Sequence, residues 1–281
     1  VVDKLEDVYS SSIEKHEERC KTIVRTFKER YGVPPLFLSR SPGRVNIVGE
    51  HVDYSGYAVL PMAIENDALI AIGQVKDSNL PAACLSNLNS SFEERTTPIH
   101  LEQLISETSV FKEHHWTNYF LASTQGLVKY YNDDIPNSSV NISEGIMKLV
   151  NEHGTICIVV SGTVPIGSGL SSSSSMVCSY TLAIIQLMKH QNIISETIFS
   201  RHQLASVSAK SERFIGVESG GMDQAISYLA KKEYAMRIDF HPILKATEVK
   251  LPENVTFVLC NSLVEHKLQS AASGIGYNVR V

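Results

Sequence analysis

The chain has 281 residues, a formal net charge of −5 and a pI near 6.1, with 43% of its residues hydrophobic. That is enough apolar side chain for a sizeable core, and an acidic balance without a basic patch argues against a nucleic-acid partner. The five cysteines are scattered without a CxxC pair, and no run of about 18 apolar residues is present to span a bilayer. These features lead us to expect a cytosolic protein without a membrane partner.

Residues 4–30 set Val8, Ile13, Cys20, Ile23, Val24 and Phe27 among charges, which predicts an amphipathic helix stopped by Gly32 and Pro34. The mixed-sign run from Glu14 to Arg19 reads as its solvated face. A strand-like segment at 36–39 leads into a polar stretch, Arg40 to Tyr54. There Arg44, Asn46, Glu50, His51, Asp53 and Tyr54 are too dense to bury without partners. Two carboxylates and an imidazole on a turn can bind several sugar hydroxyls, and Arg44 offers a planar fork for a phosphate or carboxylate. Two rival readings are a solvated loop with an internal ion pair and a metal site of Glu50, His51 and Asp53. The metal reading lacks further His or Cys ligands at set spacings.

Strand-like segments follow at 57–62 and 68–75, and 76–114 reads as a polar surface excursion. Residues 116–131 predict a helix with Trp116, Phe120, Leu121 and Leu127 on one face, Trp116 being read as core rather than ligand contact. A β-branched run at 156–160 precedes Gly162-Thr163-Val164-Pro165-Ile166-Gly167-Ser168-Gly169-Leu170 and five serines, Ser171 to Ser175. A helical pattern over 176–190 comes next. Strand, glycine turn and helix N-terminus in that order make an anion site, because glycines admit an oxyanion to the backbone and the helix dipole attracts it. A flexible Gly/Ser linker would not be flanked so tightly by apolar elements. No lysine follows the glycines, so this is not the GxxxxGK[ST] loop, and the GxGxxG spacing is absent as well.

A helix is predicted at 195–214. Then Gly220-Gly221-Met222-Asp223-Gln224-Ala225 places Asp223 close to a helix start, where the dipole keeps it ionised. Standing alone, Asp223 would read equally well as a plain N-cap. Strands are predicted at 234–239, 246–250 and 255–260. Strands and helices mix without regular βαβ alternation, which gives an α+β class.

Three segments now carry a resemblance: PGRVNIVGEHVDY at 42–54, PIGSGLSSSSS at 165–175 and GGMDQAIS at 220–227. Together they resemble the galactokinase family, within the GHMP class of small-molecule kinases that also holds homoserine, mevalonate and phosphomevalonate kinases. The similarity runs from about residue 30 to the end. Tyr54-Ser55-Gly56-Tyr57 and Glu218-Ser219-Gly220-Gly221 look closer to the eukaryotic N-acetylgalactosamine kinase branch.

The resemblance implies the N-terminal lobe of a two-lobed kinase, a ribosomal protein S5 domain 2-like fold. Residues 1–35 would be a helix and lead-in, 36–260 the lobe, and 261–281 the start of an inter-lobe segment. Most of the C-terminal lobe would be absent, as in a fragment or short isoform. The implied activity is phosphorylation of the anomeric hydroxyl of galactose or N-acetylgalactosamine with ATP and Mg2+, by a monomer when full length. Arg44 and Asp223 would be catalytic, and Arg44, Glu50, His51, Asp53, Gly221, Asp223 and Tyr277 would meet the sugar. ATP would sit on Gly167, Ser168, Gly169, Leu170, Ser171, Ser172 and Ser173, with Ser173 and Glu212 as Mg2+ ligands. The alternative is a non-catalytic sugar and ATP sensor on the same scaffold; relatives that lose catalysis alter the serine loop, which is unbroken here. A homoserine kinase would leave Glu50, His51 and Asp53 unexplained.

Overall fold

The computed structural model describes residues 2–260 except 78, 96, 108–114, 135–139, 196–198 and 218, and for 132–134 the backbone alone. Tyr277 and the expected inter-lobe segment at 261–281 lie outside the described residues.

Four strands make the central sheet in the order β1-β2-β4-β3: β1 (Phe37–Asn46), β2 (Pro61–Val75), β3 (Ala83–Asn87) and β4 (Thr155–Gly162). The β1–β2 and β2–β4 pairs are antiparallel, while β3 runs parallel to β4. Thr155 to Ser161 of β4 are all buried, which is why this strand reads as a continuous apolar run rather than an alternation. On β2 and β4, Ile70, Ile72, Ile156, Ile158 and Val160 join the main core. Leu69, Ala71, Cys157 and Val159 join a smaller cluster with Ile23 and Phe27 of α1 (Ile13–Tyr31). Burying Phe27 completely stabilises the docking of that helix by about 2 kcal/mol.

The main core lies beneath α3 (Asn118–Asp134), α4 (Ile142–His153), α5 (Ser172–His190), α6 (Arg201–Ser211) and α7 (Met222–Leu229). Helix α5 is buried along most of its length. A short helix, α2 (Leu101–Ile105), packs beside α3 and α4. A hairpin of β5 (Tyr234–Asp239) and β6 (Lys245–Lys250) is tied to the sheet side through a bridge between Val59 and Ile238. Strands and helices thus mix as the α+β class expects. Among the described residues no helix is long and apolar enough to cross a membrane.

Several expectations are corrected. The helix expected over 4–30 begins at Ile13, after a 3-10 turn at Leu5–Asp7. The backbone N–H groups of Ser10 and Ser11 instead donate to Glu65 Oε1, at 3.0 and 2.9 Å. At its far end Gly32, at φ +76°, closes the helix as expected. Of the strand expected at 57–62 only Pro61 and Met62 are in β2, with an isolated bridge at Val59, and β2 runs on unbroken through 68–75 because Glu65 and Asp67 take their partners from the N-terminal segment without breaking the ladder. The stretch 76–114 is more than a surface excursion, since it contains β3 and α2. Helix α4 went unpredicted, although Asn141 caps it by accepting from Glu144 N and Ile142, Ile146 and Leu149 fill one face. The helix expected from 195 starts at Arg201, where Ser200 and Gln203 form a capping box, and ends in a 3-10 turn, Glu212–Ile215. No strand forms at 255–260, and Val255, Phe257, Val258 and Leu259 are exposed. Of the cysteines, Cys157 and Cys178 are buried, Cys20 and Cys84 half-buried and Cys260 exposed.

Candidate active site

The ladder between β2 and β4 ends at Ala68 and Gly162, and the chain then turns through the glycine loop into α5. Gly167 and Gly169 take φ +67° and +74°, and Ser171, the N-cap of α5, takes φ +62°. These left-handed residues fold the loop tightly over the helix N-terminus, whose first-turn N–H groups have no intrahelical acceptor. Ser171 does not cap them; its hydroxyl is buried without a hydrogen-bond partner. Ser168 donates to Pro165 O within the loop, and Ser175 donates to Ser172 O.

Arg44 fixes the loop from β1. Its backbone N–H donates to Leu170 O at 3.1 Å and its Nη1 to Gly169 O at 2.6 Å, while Nε donates to Asp223 Oδ1 at 2.7 Å. The register between β1 and β2 shifts between Pro42 and Arg44, and there β1 turns its hydrogen bonding towards the loop. Gly43 makes that approach possible: a Cβ at this position would lie 2.8 Å from Leu170 O and 2.9 Å from Val164 Cγ2. Asp223 sits in the first turn of α7, after Gly221 at φ +95°. As expected, it is at a helix start, but Gly221 rather than Asp223 is the N-cap.

Three carboxylates converge on this point. Ser174 Oγ donates to Glu212 Oε1 at 2.8 Å and lies 3.5 Å from Asp223 Oδ2, while Gln224 Nε2 donates to Ser174 Oγ at 3.2 Å. The serine that meets Glu212 is therefore Ser174, one residue beyond Ser173. Asp53 Oδ2 accepts from Met222 N at 3.4 Å. Gly220 allows this contact, since a Cβ there would lie 2.5 Å from that same oxygen. Burial first, then the charge of Asp223, raises the Asp53 carboxyl and pushes that of Glu212 up to about 7. For Arg44 burial acts downward, but Asp223, Glu50 and Asp53 outweigh it and raise the guanidinium.

A cavity of about 830 Å³ joins these groups. Arg44, Glu50, His51, Asp53, Glu212 and Asp223 line it, together with Gly167 to Ser173, so almost every expected site residue meets in one place. Gly221, the N-cap of α7, does not line it. Glu50 and His51 are exposed at the rim, His51 at φ +58°. The rival metal site of Glu50, His51 and Asp53 does not assemble, and among the described residues no group of three His, Cys, Asp or Glu is placed to hold an ion.

Local sequence reading missed the wall of Asn87, Asn89, Phe92, Trp116 and Tyr119. Trp116 is core, as expected, at 6% exposure, but it is also cavity wall, and its Nε1 donates to Glu93 O at 2.7 Å. These residues reach the cavity from β3, its following loop and the start of α3. Only long-range pairing places them there, so no local signal could have found them.

Comparison with known proteins gives a consistent result. Residues 25–74 match the galactokinase galactose-binding signature, and residues 141–231 match the GHMP kinases N terminal domain. A galactokinase of Dictyostelium discoideum is 40% identical over all of this chain and 51% of its own length. A galactokinase of Candida maltosa is 31% identical over 82% of this chain and 95% of its own length. The crystal structure of Lactococcus lactis galactokinase complexed with galactose superposes on 87% of this chain and 57% of its own, with a TM-score of 0.62. At 20% identity that likeness concerns the fold alone. The chain spans about half the length of the Dictyostelium discoideum, Saccharomyces cerevisiae and Schizosaccharomyces pombe galactokinases it matches.

Proposed function

Because the chain belongs to the galactokinase family, we propose that its protein moves the γ-phosphoryl group of ATP to the anomeric hydroxyl of galactose or N-acetylgalactosamine. The observation that carries this reading is the 2.7 Å pair of Arg44 and Asp223, seated between the glycine loop and the polar turn after β1. In the reaction the sugar oxygen bonds to phosphorus as the bond from phosphorus to the β–γ bridging oxygen breaks, and ADP leaves. The sugar hydroxyl gives up its proton to Asp223, or loses it beside that carboxylate. Arg44 steadies charge on the moving phosphoryl group.

Asp53, Glu50 and His51 hold the sugar in this scheme, joined by Tyr277, with the carboxylates accepting from its hydroxyls and Gly221 acting only by turning the chain into α7. Gly167, Ser168, Gly169, Leu170, Ser171, Ser172 and Ser173 cradle the phosphates. Phe92, Trp116 and Tyr119 give a planar base an aromatic wall. The hard oxygen donors near the loop, the serine hydroxyls and the Glu212 carboxylate, are of the kind Mg2+ takes, with phosphate oxygens and water left to fill most of its shell. Ser173 and Glu212 would hold the ion, with Ser174 orienting Glu212. When bound, such an ion neutralises phosphate charge. The free cysteines suit a reducing cytosol.

A coupled assay of ADP release on the full-length protein with each sugar tests the reading. One of the two sugars should give one ADP for each sugar 1-phosphate formed. If both sugars bind and neither is turned over, the protein is a sensor and the kinase reading fails.

A further inference from the structure

Outside the cavity, a heavily bonded charged cluster surrounds Asp67, which is completely buried. Its Oδ1 accepts from Arg19 Nη1 at 2.6 Å, and its Oδ2 accepts from Arg40 Nε at 2.5 Å and from the Tyr9 hydroxyl at 2.6 Å. The Arg40 guanidinium lies 4.6 Å over the Tyr9 ring, and His16 stacks on that ring with centroids 3.6 Å apart. The cluster thus ties the segment that enters α1 to the middle of β2.

The same residues also hold the point where the glycine loop leaves the sheet. Past the last ladder pair, Thr163 N donates to Asp67 O at 2.8 Å and Asp67 N donates to Thr163 Oγ1 at 2.9 Å. Asn66 Nδ2 donates to Thr163 O at 2.9 Å. One residue pair earlier, Arg19 grips Ser161 twice, with Nε to Oγ at 2.9 Å and Nη2 to O at 2.6 Å. The loop is therefore fixed at its far end by Arg44 and at its near end by groups that depend on Arg19 and Asp67. Left to the ladder alone, its near end would be free from Thr163 onward.

We propose that Arg19 and Asp67 are positioning residues for the phosphates of the nucleotide, acting through Ser161 and Thr163. The segment from Tyr9 to Arg19 thereby influences nucleotide affinity without touching nucleotide. This rests on the nucleotide reading of the glycine loop. Backbone groups that bind phosphate work only at hydrogen-bond distance, so a small change in the loop's exit direction weakens several contacts together. The proposed sugar-binding residues Glu50, His51 and Asp53 follow the C-terminal end of β1, beyond the Pro42–Asp67 pair, and make no hydrogen bond to Arg19 or Asp67 among those described.

The test is calorimetric titration of the full-length protein with MgATP and, separately, with sugar. Arg19→Lys keeps a cation for Asp67 but gives up the double grip on Ser161, and Thr163→Val removes the acceptor for Asp67 N while conserving shape. Each variant should weaken MgATP binding about tenfold and leave sugar binding within about twofold. Its melting temperature should fall by no more than about 4 °C. If MgATP and sugar weaken together, or neither changes, the cluster is structural and the inference is overturned. If the unmodified protein binds sugar but no MgATP, the nucleotide reading fails first and takes this inference with it.

Discussion

Arg40 and Arg44 stand four residues apart on β1, yet they end in clusters of opposite charge balance. Around Asp67, two guanidinium groups and a tyrosine hydroxyl serve one carboxylate, and both of its oxygens are taken up by the protein itself. Around Asp223, Arg44 pairs with that carboxylate and also feels Glu50 and Asp53, while burial and the charge of Asp223 push Asp53 and Glu212 upward. The first cluster is complete as folded. The second gathers carboxylates that burial disfavours, and such perturbed acids in a cavity mark a candidate functional site.

The sharpest way to break the comparison is to remove one acid from each cluster. Asp67→Asn leaves two half-buried guanidinium groups without their anion and should cost about 2–4 kcal/mol in a denaturant unfolding experiment. A variant that unfolds at the unmodified denaturant concentration would show that the Asp67 cluster does not stabilise the fold. Asp223→Asn should do the reverse. Turnover should fall by about two orders of magnitude or more in the coupled assay, while stability holds or rises because the repulsion on Asp53 and Glu212 is relieved. Near-normal turnover would remove Asp223 from the mechanism.

Glu212 sharpens the contrast through pH. Its carboxyl is raised from 4.5 to about 7 on folding, so the folded protein holds this proton more tightly than the unfolded chain does. The stability it contributes is complete below pH 4.5 and is lost as pH rises through 7. Glu212→Gln cannot ionise, so its stability relative to the unmodified protein should grow by about 1–3 kcal/mol between pH 5 and pH 8. A gap that stays constant over that range would mean that burial does not hold the proton on Glu212. The smallest expected effect is that of Gly43→Ala, whose Cβ would press on Leu170 O and Val164. It should cost about 1–2 kcal/mol of stability and weaken nucleotide more than sugar. Equal loss of both ligands would show that Gly43 supports the whole lobe rather than the loop.

The sequence disclosed what is local and hid what depends on pairing. The glycine loop was legible because strand, turn and helix follow one another within a short span, and Gly32 marked the end of α1 for the same reason. Strand β2 reads as two segments because Glu65, Asn66 and Asp67 interrupt its apolar pattern, and their partners, on the N-terminal segment for Glu65 and Asp67 and at Thr163 for Asn66, cannot be seen from the strand itself. Strand β3 was lost in a polar stretch because it is a short edge strand whose order comes from lying beside β4. At the site, Asp223 was visible beside its two glycines. Glu212 was reached only through the resemblance, because nothing near it in sequence shows that Ser174 will donate to it.

Trp116 gives the cavity one further property. It is the one tryptophan of the chain, and the cavity wall holds it with its indole N–H tied to Glu93 O. Within these 281 residues indole emission therefore has a single origin, and a base settling against the aromatic wall would alter the quenching and polarity around that one ring. Occupancy of the wall can be followed optically without a label, and Trp116→Phe supplies the dark control.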